Sequence, residues 1–546
     1  MTSGMDPARG VWSPTEDFYW DEEFRDFLKQ YGSRGDCTLV VNGDMFDFLQ
    51  VLALPSAAES ELYGIPRGDV SEIYGLKTSE AAAAFQIDRI IDGHPVAFRA
   101  MAEFLRRKNR IVMVKGNHDI QLVWDSVQRH IRERLAEFLP PSARARVETH
   151  LRFAPWFYYV PGLLYVEHGS QYECATSFQH FLNPMLPFKT PHGADHIELD
   201  LGSLVIRYFS NRMEVMHLLA DNVRPLSAYV GRFLQNHPLV FASTLGTATR
   251  YLLNSLGKAR RLSRGSTREA YAKIARRHQE LLEAEARAHG RNPRHAEWLA
   301  DALRARDARK ARPTLSRGPL GFLWTTLRGP VLTVGWLAPL FLLIGVPDFA
   351  RWLRAGAWAG GLSPGLWFLV SAPGLELLAA AALVWASARL RRSILRKEAA
   401  RRTREDPVLR LRAEAADIAR AFQVKMVAFG HTHKEDALRL PEDRWYYNTG
   451  TWITVYAEAD NLFRLPRQFT FLLVEKGKGS LLHWDGATRS ARRSIVVDPE
   501  AAHAPPEPTF GALLRKALRI RSLRGPIPGM NDRFEKFLER LTRGKR

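Results

Sequence analysis

The sequence predicts an α/β protein, and three observations predict it. Short apolar runs, "CTLVV", "RIVMVK" and "LLYVEH", recur through the first 175 residues, each closing on glycine or polar residues as a buried strand does. Stretches with helical spacing accompany them, "DEEFRDFLKQY" before the first run and "AFRAMAEFLRRK" between the runs. After residue 423 strand-like runs resume, in "VKMVAFGHTH", "RWYYNTGTW", "FTFLLVE" and "SLLHW".

The chain of 546 residues exceeds one ordinary core, so more than one unit is expected, and 46% apolar content excludes a wholly disordered protein. The formal charge of +20 favours an anionic partner, whether nucleic acid, an acidic lipid surface or a phosphorylated substrate. Cys37 and Cys174 make neither a disulfide framework nor a zinc-finger spacing, which points to a reducing, cytosol-facing location. The start shows no basic run leading into an apolar core, hence no secretory signal.

The division follows composition. Residues 1–175 form the first part of the α/β domain, and 176–318 a basic, helical insertion containing the amphipathic "REAYAKIARRHQELLEAEARAHG". Its charges read as a solvated or membrane-facing surface. Residues 319–390 read as a transmembrane helical hairpin, 391–422 as a basic helical linker and 423–486 as the second part of the domain. A Pro-rich, then basic, tail covers 487–546. The hairpin reading rests on "GPVLTVGWLAPLFLLIGVP" (329–347), which carries no charge, and on 355–388, where Glu376 is the one charged residue. The first nearly reaches, and the second exceeds, the roughly 20 residues that cross a hydrocarbon core. Basic flanks, "ARKARPTLSR" before and "RLRRSILRKEAARRTR" after, place both outer ends in the cytoplasm. The expectation is a two-span, multi-pass inner-membrane protein with a cytoplasmic domain, touching anionic lipids.

Chemistry-bearing residues cluster where the apolar runs end. "LVVNGDMFDF" puts Asp44 after Gly43 with Asp47 three residues on, "IVMVKGNHD" supplies Asn117 and His118, "LLYVEHGSQYE" supplies His168, and "VAFGHTH" supplies His431 and His433. Singly, such clusters also make turns and helix caps. In this order they offer carboxylate, amide and imidazole, the donors of a divalent metal centre with hydrolytic chemistry.

On these ordered motifs the chain resembles the calcineurin-like metallophosphoesterase superfamily, over about 36–175 and 423–485. "EHGSQYE" and "YYNTGTW" are similar to its bacterial branch related to the lipid A pathway pyrophosphatase that cleaves UDP-diacylglucosamine. The resemblance implies a four-layer α-β-β-α sandwich holding two divalent ions (manganese, iron or zinc) about 3.5 Å apart or slightly more. It further implies that Asp44 bridges the ions, that Asn117, His168 and His431 complete one site, and that His433 belongs to the other. His118 would meet the reacting phosphate or the leaving oxygen, with Asp47 orienting its ring. The reaction implied is hydrolysis of a phosphoester or pyrophosphate, on a phosphorylated and lipid-linked substrate. A water acidified by the cations from 15.7 toward roughly 7 would attack phosphorus. A nuclease or nucleotide phosphodiesterase and a non-catalytic member are the alternatives.

One departure qualifies the resemblance. The superfamily begins with a strand ending in Asp-x-His, yet the first histidine here is His94, so the first strand looks missing. The expectation is that Met1 is a misplaced start or truncation point, with a degenerate enzyme as the rival. Such a chain should bind one metal tightly and hydrolyse poorly.

Overall fold

The computed structural model describes residues 5–6, 11–12, 15–72, 74–187, 194–211, 265–310, 406–453 and 469–494. Within them the chain is mixed α/β. The principal strands are β1 (Thr38–Asn42), β2 (Arg110–Val114), β3 (Leu151–Ala154), β4 (Phe157–Val160), β5 (Leu164–Glu167), β6 (Met426–Phe429), β7 (Glu435–Leu440), β8 (Arg444–Thr449), β9 (Thr470–Glu475), β10 (Lys478–Asp485) and β11 (Ser490–Arg493). The helices that pack on them are α1 (Asp21–Gly32), α2 (Glu80–Gly93), α3 (Pro95–Arg106), α4 (Asp125–Glu137), α5 (Gly265–His289), α6 (Pro293–Arg309) and α7 (Pro407–Ala421).

The strands make a five-stranded sheet ordered β7-β8-β6-β5-β4 and two three-stranded sheets, β1-β2-β3 and β9-β10-β11. In the five-stranded sheet β6 runs parallel to both neighbours, pairing Val427 with Tyr165 and with Tyr446. In the first small sheet β1 runs parallel to β2, with Val41 opposite Met113. Parallel pairing sends the carboxyl ends of adjacent strands to one edge, where an open α/β sheet binds its ligands. Both β5 and β6 are buried throughout, consistent with near-continuous apolar sequence.

Helical starts follow the local sequence. Asn292 and Asp406 each accept a hydrogen bond from a backbone N–H of the first turn, and Pro293 and Pro407 open α6 and α7 with the φ that proline fixes. Phe24, Phe27 and Leu28 of α1 join Phe98 and Met101 of α3 in one apolar cluster against β1, β2 and β9. Leu282, Leu299, Leu303, Ala415 and Ile418 from α5, α6 and α7 form a second cluster against β4, β5 and β6. A third lies between sheets, with Val166 and Ala428 meeting Val40, Leu472 and Leu481.

The structure makes one correction. Among the described residues no helix is long and apolar enough to cross a membrane. The longest, α5, has 25 residues but carries charge along its length, and it buries only the stripe Ile274, His278, Leu282 and Ala286. The expectation of a transmembrane, two-span inner-membrane protein is therefore not carried further. The stretches 329–347 and 355–388 on which it rested lie outside the described residues, as do the tail beyond 494 and residues 391–405 of the linker.

Among the described residues β1 and β9 are the outer strands of the two small sheets, and they face a shared cleft of about 1480 Å³, lined by Thr38–Asn42 on one side and Thr470–Glu475 on the other. Arg34 bridges to Glu475 at one end, at 2.6 Å. No described strand lies between them.

Candidate metal centre

Four loops leave the carboxyl ends of β1, β2, β5 and β6 and enter the other end of that cleft, bringing Asp44, Asn117, His118, His168, His431 and His433 to its wall. Two glycines permit the approach. Gly43 has φ +77, and a Cβ there would overlap the His168 ring; a Cβ on Gly116 would overlap the Asp44 carboxylate. Asp44, His431 and His433 themselves take left-handed φ values of 53°, 66° and 54°. Such strain in non-glycine residues gathers at functional sites, because the side chain must point where the regular backbone would not send it.

One oxygen of Asp44 and one nitrogen each of His168 and His431 lie within 4.8 Å of one another. Nδ1 of His168 donates to the Asn42 carbonyl at 2.8 Å, so that in the neutral ring, the form that would bind a metal, Nε2 carries the lone pair. Nε2 sits 2.8 Å from Oδ2 of Asp44, yet the angles do not make a hydrogen bond, so both atoms converge on common space. Oδ1 of Asn117 is likewise buried without a hydrogen-bond partner. Two orphaned, buried donor atoms beside a carboxylate fit a divalent ion, which would satisfy them together.

His433 shares the cleft wall but is not in the 4.8 Å group, so the described residues gather one compact ligand set around Asp44. Asp47 and His118 meet as a short carboxylate–Nδ1 contact, and the His118 backbone N–H donates to Oδ1 of Asp44 at 2.9 Å. Burial opposes charge on His118, but Asp47 and then Asp44 override it and push its pKa up to about 10. These carboxylates favour the imidazolium form, which can donate from Nε2. Burial alone would raise the Asp44 carboxyl; the facing His168 and His118 hold it well below the usual range.

Three residues of the site escaped the sequence reading. Asp119 stands in the quoted "GNHD": its two oxygens accept from Gly116 N at 2.6 Å and Met45 N at 3.0 Å, clamping the loops after β2 and β1 together. Burial, with Asp44 nearby, pushes Asp119 up to about 6. Glu173 stands in "EHGSQYE", with Oε2 2.8 Å from Nε2 of His431. Thr176 lies 3.3 Å from the same nitrogen. The acidic end of "EHGSQYE" was the available signal for Glu173; Thr176 had none.

No family model, curated protein or solved structure matches this chain. Its class is therefore argued from the fold and the site alone.

Proposed function

We propose that the chain is a metal-dependent hydrolase of phosphoesters or pyrophosphates, built as a calcineurin-like four-layer α-β-β-α sandwich. The observation that carries this reading is the convergence of Asp44, His168 and His431 beside the orphaned Asn117 carbonyl oxygen. In the sandwich reading, α1–α4 form one outer layer, α5–α7 the other, and the five-stranded sheet and the two small sheets the inner pair. A bound divalent ion would supply positive charge to the phosphate and acidity to a water. Asp44, Asn117, His168 and His431 would hold it. His118, charged and held by Asp47, would face phosphate oxygens and donate a proton to the leaving oxygen.

A second reading, a member with an incomplete second metal site and little turnover, is favoured by His433 standing apart from the compact ligand group. One experiment addresses both: metal content of the purified chain by mass spectrometry, with hydrolysis of a bis-aryl phosphodiester with and without manganese. The hydrolase reading expects manganese-dependent turnover that His431→Ala lowers at least about 100-fold. Full metal content and turnover in that variant would overturn it. One metal per chain with no turnover would favour the second reading.

A further inference from the structure

We infer that Glu173 is a positioning residue of this centre: its carboxylate fixes the tautomer of His431 so that Nδ1 is presented to the metal. The inference rests on the proposed metal reading and adds a residue to it. Nε2 of His431 has two oxygen neighbours, Glu173 Oε2 at 2.8 Å and Thr176 Oγ1 at 3.3 Å. The carboxylate can only accept. The Thr176 hydroxyl donates its single proton to the Ser170 carbonyl at 3.0 Å, so toward His431 it too is an acceptor. A nitrogen facing two acceptors carries the proton. Nε2 is therefore N–H, and the lone pair that can join Asp44 and His168 is on Nδ1.

The backbone holds Glu173 to this task. Its N–H donates to Ser170 O at 3.2 Å, and its carbonyl accepts from Thr176 N at 3.2 Å and Ser177 N at 3.0 Å, a tight double turn immediately after β5. Gly430 N donates to His168 O at 3.0 Å, tying that turn to the loop carrying His431. The end of β5 thus delivers one ligand, His168, and the group that orients the ligand from β6. The two imidazoles use opposite nitrogens, each fixed by an oxygen behind it: His168 through the Asn42 carbonyl, His431 through Glu173.

The test pairs histidine nitrogen NMR of the metal-free chain with manganese titration of wild type, Glu173→Ala and Glu173→Gln. Glu173 is about one-third exposed, at 34%, and near-ultraviolet circular dichroism confirms that each variant is folded. The expected result is an Nε2–H tautomer of His431 in wild type and a tautomer mixture in Glu173→Ala. Manganese affinity should fall about 10–100-fold in Glu173→Ala, the usual loss for a partner behind a ligating histidine. Glu173→Gln, whose amide oxygen still accepts from Nε2, should recover most of that loss. An unchanged tautomer in Glu173→Ala would overturn the inference. So would a Glu173→Gln loss as large as that of Glu173→Ala, which would make the carboxylate a direct ligand. Wild type that keeps the Nε2–H tautomer but binds no manganese would overturn the metal reading while upholding the Glu173–His431 contact.

Discussion

The five-stranded sheet and the sheet that begins with β1 are built from similar sequence and meet different surroundings. "MVAF" in β6 has a parallel partner on each side and helices over one face, and all four residues are buried. "TLVVN" in β1 has three consecutive apolar residues, yet among the described residues it has β2 on one side only and every residue is half-buried. Continuous β-branched runs suit strands covered on both faces and flanked on both edges. Thus β1 has the sequence of an interior strand in the position of an edge, and β9 across the cleft is its counterpart. Agreement between sequence and surroundings is the mark of a well-specified region. The five-stranded sheet has it, and the β1 edge does not.

The largest way to break this contrast is at the better-specified side. Glu167 at the end of β5 accepts from Trp156, Tyr165 and Tyr172, and it pairs with Arg306 of α6 at 3.4 Å; Arg306 also reaches Glu414 of α7 at 3.1 Å. All three charged residues are buried. Arg306→Ala would leave buried Glu167 with no cationic partner and Glu414 with Arg309 at 3.6 Å, and chemical denaturation should register a loss of about 3 kcal/mol.

Next in size is a pH effect on the β1 side. His94, buried between α2 and α3, loses by desolvation but gains more from Glu16 and Asp21, which push it up to about 9 from 6.5. Because the folded value is the higher one, its contribution is fully present below about pH 6.5 and is lost as pH rises through about 9. Denaturation at about pH 6 and pH 9.5 should differ by on the order of 3 kcal/mol, and His94→Gln should flatten the difference.

The smallest effect sharpens the comparison itself. Val427→Ala in β6 removes fully buried methyl groups and should cost about 2 kcal/mol, whereas Val41→Ala in β1 should cost about 1 kcal/mol or less. Amide exchange should follow suit, with β6 opening only on global unfolding and the outward amides of β1 exchanging far sooner. Equal protection in the two strands would show that the β1 edge is covered in solution.

The strands and the ligand loops were legible because their signals are local. An apolar run, a glycine and a donor residue within ten positions name both the strand and the end on which its chemistry sits. The contacts that set the ligands were not legible. Glu173 acts on a histidine 258 residues away, and Arg306 reads as one more charge on a basic helix until Glu167 and Glu414 surround it. Strand β7, "EDALRL", lacks the β-branched run that betrays the others; it is a strand because β8 lies beside it in register, Ala437 opposite Tyr447. The membrane reading failed differently. It drew on two long stretches with little charge and on their basic flanks; the stretches lie outside the described residues, and no described helix is long and apolar enough to cross a membrane.

The left-handed backbone at Asp44, His431 and His433 has an evolutionary corollary. Glycine or asparagine would sit more comfortably at each of the three positions, so a lineage released from any need for these side chains would drift toward them with no loss of stability. Eight other described non-glycine residues take a positive φ as well, so the torsion alone marks nothing; what sets these three apart is that they stand in the loops after β1 and β6, beside His168.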